Sequence, residues 1–116
     1  MRASDIFKRA MRLCGISEEV LDENDLTDLH ARALDAINTA LFDLCGVEGV
    51  SSLSDLKDIP AKTADAVVYG TAMLLSLAYG DTDKSSLFSS VFNQKRAAIK
   101  SNISKIADVL PRTEAI

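Results

Sequence analysis

The sequence predicts an all-α protein: a single domain of four helices, the first short and the other three long, with a long loop between the second and third. Three observations carry this expectation. Gly (5) and Pro (2) are scarce in 116 residues, which favours long helices over many short strands. Apolar residues recur at spacings of three and four along most of the chain. Between Ala66 and Gly80, fifteen consecutive residues carry no charge and are rich in Ala, Val, Leu, Met and Tyr, as expected of a buried helix.

The first helix is expected over Ser4–Cys14. Ser4 is the candidate cap, and Asp5 suits the positive end of the helix. Ile6, Phe7, Ala10, Leu13 and Cys14 form its apolar face, with Lys8, Arg9 and Arg12 outward. The linker Gly15–Asn24 is acidic, with Ile16, Val20 and Leu21 as expected anchors. The second helix is expected over Asp25–Cys45. Its stripe is Leu26, Leu29, Ala33, Ile37, Ala40, Leu41 and Leu44, opposite Asp28, Arg32, Asp35, Thr39 and Asp43. Residues 46–59 form the long loop, in which Val47, Val50, Leu53, Leu56 and Ile59 recur every third residue. It lies over its own core or reaches to a neighbouring subunit as an arm.

The third helix starts near Pro60, a residue suited to a first helical position, and reaches about Tyr79. Being apolar nearly all round, it belongs at the centre of the fold or under an oligomer partner. Gly70 inside it costs about 1 kcal/mol relative to Ala, a cost that a closely crossing helix would explain. The fourth helix begins after Gly80, capped by Asp81 or Thr82. It carries Leu87, Phe88, Val91, Phe92, Ile99, Ile103 and Ile106 on one stripe and reaches about Ile106, so that its basic end either packs down or projects from the body. Residues 107–116, with Pro111, read as a flexible tail.

At 47% hydrophobic and 26% charged, the chain has the composition of a globular domain spanning residues 1–116. The uncharged run falls short of the about 20 residues that a membrane span needs, and the N-terminal residues lack the apolar core of a signal peptide. Synthesis in the cytosol is expected. Cys14 and Cys45 each precede a glycine at an expected helix end, too far apart for a disulfide, and are expected as two free, buried thiols. Chemical constellations are absent: the five glycines are isolated, the single histidine, His30, has no evident partner, and no nucleophile or metal pattern is found. No catalytic residue, cofactor or metal site is expected.

Charge is unevenly distributed. Residues 1–17 carry +3, residues 18–65 carry −9, Asp81 and Asp83 carry −2, and residues 84–112 carry +5; with Glu114 the net is −4. The basic helices lie against the acidic one within a subunit, or the poles of neighbouring subunits face each other. On the second arrangement, Lys95, Arg96, Lys100 and Lys105 would meet a neighbour's Asp28, Asp35 and Asp43, with Val50, Leu53 and Leu56 of the loop at the same interface. An acidic pI near 4.9 and the lack of interleaved aromatic residues argue against independent duplex binding.

One family resemblance rests on the run Asp65-Ala66-Val67-Val68-Tyr69-Gly70, Ala72 to Leu77, Tyr79-Gly80-Asp81-Thr82-Asp83-Lys84, Phe88, and Phe92-Asn93-Gln94-Lys95-Arg96. It resembles the small helical head–tail connector proteins of tailed bacteriophages and prophages, also called adaptor or head-completion proteins. The likeness covers about residues 25–106. It implies a non-enzymatic structural protein of the virion, made in the bacterial host cytoplasm. Its subunits would form a homo-oligomeric ring between the portal protein and a tail-completion protein. DNA would pass through that ring without sequence-specific contact, and no membrane is involved. Ala78-Tyr79-Gly80-Asp81 with Lys84 also resembles part of a tetratricopeptide hairpin. That architecture needs about three stacked repeats, and the chain has one such hairpin. The alternative reading is a small helical interaction or regulatory module, dimeric through the third helix.

Overall fold

The computed structural model describes residues 1–45 and 49–109, with side chains to residue 101. Four helices follow one another: α1 (Ala3–Cys14), α2 (Glu23–Cys45), α3 (Ala61–Ala78) and α4 (Thr82–Val109), with a single 3₁₀ turn at Glu18–Val20. The described residues contain no strand.

α3 is the hub. It packs extensively on α1, α2 and α4, whereas α1 and α4 each make only smaller contacts with α2. The uncharged run from Ala66 onward is what permits this: Ala64, Ala66, Val67, Ala72 and Leu75 are all buried, on different sides of one helix. Ile6 of α1, Leu29 and Ile37 of α2, and Phe88 and Phe92 of α4 close the core around it.

Gly70 explains the closeness of that packing. A Cβ at this position would lie 3.0 Å from Ala40 Cβ of α2 and 2.9 Å from the Phe92 ring of α4. Three helices therefore meet at a residue with no side chain, so the helix-propensity cost of Gly70 is tied to a close crossing.

Two glycines with positive φ end helices. Gly15 (φ 70°) follows α1, and Gly80 (φ 81°) follows α3. After α3, the Asp81 amide donates to Ser76 O at 2.8 Å and the Gly80 amide to Leu77 O at 3.1 Å. These bonds satisfy the last carbonyls of the helix while reversing the chain. Asp81 Oδ1 then accepts from the Lys84 amide and caps α4.

Several expectations are corrected. Ser4 is not the cap of α1. The helix starts one residue earlier, with Arg2 at the cap position and its amide donating to Asp5 Oδ2. α2 starts at Glu23, because the Asp22 carboxylate takes up the Asp25 amide at 2.8 Å. Pro60 stands just before α3 rather than in it. Val20 is not an anchor: it is 81% exposed, while Ile16 and Leu21 pack on the core. Leu87 is 62% exposed, off the buried Phe88–Phe92 face of α4. Cys14 is buried, but Cys45 is exposed; both are free thiols.

α4 is longer than α3 by ten residues, 28 against 18. The hairpin turns at Gly80 and sets Lys95 beside Asp65, each fifteen residues from the turn. In that register, residues after about position 99 have no α3 residue opposite them. α4 runs through Val109, into the segment expected as tail. The side chains of Ile103, Lys105 and Ile106, all of residues 110–116, and Val47 within 46–48 lie outside the described residues.

Two adjacent substitutions should move stability in opposite directions. Gly70→Ala should lower it by about 1–2 kcal/mol in urea unfolding, because overpacking at three helices outweighs the gain in helix propensity. Thr71 is fully buried, and its hydroxyl has no hydrogen-bond partner among the described residues. Thr71→Val should therefore raise stability by about 1 kcal/mol.

Candidate functional site

The basic residues of α4 were the first candidates for contact with a neighbour, and the fold uses two of them internally. Lys95 Nζ donates to Asp65 Oδ2 of α3 and lies 5.4 Å from the Tyr69 ring centroid. The Asp65 hydrogen bond holds the Lys95 ammonium pKa above its usual value, against the opposing effect of desolvation. Arg96 Nε donates to Asp43 Oδ2 of α2 at 2.6 Å, with Nη2 at 3.4 Å from the other carboxylate oxygen. Both pairs tie α4 to its own subunit. Lys100 is exposed, with no ion-pair partner among the described residues, and the Lys105 side chain lies outside them.

The acidic candidates divide in the same way. Asp43 is taken by Arg96. Asp28 accepts from Arg32 Nε at 2.7 Å, one turn along the same helix, and Arg32 lies 5.8 Å from the Tyr79 ring centroid. Asp35 is exposed, and its carboxylate has no partner among the described residues.

The segment 49–60 is fastened over α1 and α2. Asn38 of α2 binds Val50 twice: its Oδ1 accepts from the Val50 amide at 2.7 Å, and its Nδ2 donates to the Val50 carbonyl at 3.0 Å. Gly49 is required beside it, since a Cβ there would lie 1.9 Å from Asn38 Oδ1. Asp55 closes a turn by accepting from the Ser51 and Lys57 amides and the Ser51 hydroxyl; these bonds hold its carboxyl below the usual range. Val50 is thus buried, Leu53 is half-buried on the core, and Leu56 is 71% exposed. Of the three, Leu56 alone is exposed.

Leu56 and Leu53 edge a groove of about 660 Å³ between α1, α2 and this segment, with Phe7, His30 and Leu34 on its walls. His30 packs edge-on to Phe7, with ring centroids 5.3 Å apart, and its Nε2 lies 3.6 Å from Glu18. Among the described residues no three His, Cys, Asp or Glu side chains gather as a metal site, and no helix is long and apolar enough to cross a membrane. No family model, curated protein or solved structure matches this chain.

Two contacts were not foreseen from sequence. Asp65 as the partner of Lys95 could have been found by counting fifteen residues each way from Gly80. Asn38 gives no such signal, because a lone Asn on a helix does not reveal which loop it will fasten.

Cys14 Sγ lies 3.4 Å from both Ala72 O and Ser76 Oγ, and burial pushes its thiol pKa up despite Ser76 and Lys84. At neutral pH a disulfide reagent should therefore label Cys45 rapidly in the native protein and Cys14 only on unfolding. Peptide mass mapping of the labelled sites checks this. A second outcome concerns pH. The Lys95 pair contributes fully below the unfolded lysine pKa of about 10.4 and fades as pH rises through the higher folded value. The stability difference between wild type and Asp65→Asn should thus shrink above about pH 10.4, measured by urea unfolding across that range.

Proposed function

We propose that the chain is a non-enzymatic structural subunit of a tailed-phage or prophage virion, forming a ring that joins the portal of the head to the tail. The observation that carries this reading is the role of the resembling residues. They form the central hairpin: Gly70 at the three-helix crossing, Gly80 at the positive-φ turn, Asp81 at the cap, Phe88 and Phe92 in the core, and Lys95 on Asp65. The all-α architecture agrees with what the resemblance implies. DNA is proposed only to pass through the ring.

A dimer through α3 fits less well, since that helix packs against the other three and is exposed only at its two ends, at Ala61 and Lys62 and at Leu77 and Ala78.

The test is to mix the purified protein with portal rings of the phage or prophage that encodes it and to image the product by electron microscopy. A second, coaxial ring on the portal is expected. A compact dimer that binds no portal would overturn the reading.

A further inference from the structure

The charges that the fold consumes and those it leaves over sit in different places, and the left-over sets are opposite in sign. We infer that the basic face of α1, built on Arg9 and Arg12 with Lys8, docks on the acidic face of α2, built on Asp25 and Asp35 with Glu23, of a second copy of this chain. This rests on the ring reading and names its contact.

Lys8, Arg9 and Arg12 are all exposed, one turn apart or less on α1, and none has an ion-pair partner among the described residues. Arg9 and Arg12 border a depression of about 290 Å³ with Leu13, Asp65, Val68 and Tyr69. The one carboxylate there, Asp65, is already held by Lys95. The depression therefore stays positive.

On α2, Asp25, Asp28, Arg32 and Asp35 follow each other at helical spacing along one exposed face. Asp28 and Arg32 neutralise each other. Asp25 and Asp35 are left, with exposed Glu23 one turn or less from Asp25. Asp35 borders a second depression, of about 240 Å³, floored by Leu74, Leu75 and Ala78. Each charged face thus adjoins apolar surface, which screened charges alone would not provide.

The two faces do not meet within one subunit. The basic one adjoins Tyr69, and the acidic one lies by Ala78 and Tyr79, ten residues or about 15 Å further along α3. Pairing unlike patches on successive copies is a head-to-tail contact, the kind that closes into rings. An acidic second copy also suits the basic face better than duplex DNA does, given the net charge of −4.

Sedimentation at low and high salt tests this with two neutralised variants, Arg9→Gln/Arg12→Gln and Asp25→Asn/Asp35→Asn. Wild type should self-associate at low salt, where screening is weakest, and dissociate as salt rises. Each variant alone should associate about tenfold more weakly, the loss of two exposed pairs. Mixed together they should form a complex that stops at two subunits, because each keeps one intact face. Wild type that stays monomeric at low salt, variants that associate as wild type does, or a mixture no different from its components would overturn the inference. So would loss of duplex binding in the arginine variant with self-association unchanged. Portal imaging separates the two ideas. If both variants still form rings on the portal, the contact is wrong and the ring reading stands. If the mixture pairs as expected but nothing binds the portal, the contact stands and the ring reading falls.

Discussion

The structure depends on one place where three backbones come together. At Gly70, α3 has no side chain, and Ala40 of α2 and the Phe92 ring of α4 fill the space that a Cβ would take. Small residues bring helices close; closeness lets large residues on either side interlock at native density. The position also sets register. With α4 fixed by Phe92, Lys95 and Arg96 fall one turn further on, where Asp65 and Asp43 wait. Those ion pairs, exposed as they are, follow from the crossing more than they cause it, since each contributes at most about 1 kcal/mol.

Much of this was legible in the sequence, for a physical reason. Helix type and order depend on periodicity, turn glycines and capping acids, all of which are local. The central position of α3 followed from its uncharged run after Asp65, and Gly70 pointed to the crossing because a helix-interior glycine is costly without one. Val20 and Leu87 were misplaced because an apolar residue at a plausible spacing need not face the core; the path of the chain decides, and that is not local. Cys45 ends a helix as Cys14 does, yet only Cys14 meets α3. The same limit governed the candidate site. Net charge by segment was readable, but which cation finds a carboxylate depends on interhelical geometry. Lys95 and Arg96 therefore turned out to be occupied within the subunit, while Arg9 and Arg12 were left open.

That division bears on what the surface is for. An ion pair between neighbouring helices holds a fold in one arrangement, and nothing more is asked of it. Unpaired charges gathered on one face have no such role in the monomer, and like charges so close together repel. On the proposed reading they serve an encounter with a surface of opposite sign. The chain carries both signs in such clusters, nearly three turns apart along α3, and the proposed contact between copies pairs them.

Weakness in such a contact is consistent with a ring that forms at a junction. A head-to-tail contact strong enough to act alone would build open filaments in solution wherever its rotation does not close. Contacts of a few exposed pairs over small apolar depressions are too weak for that at cellular ionic strength. A circular template changes the balance by holding neighbours at high effective concentration, so that the same weak contacts become decisive only there. On the proposed ring reading, the split charge of the chain would let its copies stand together only in place.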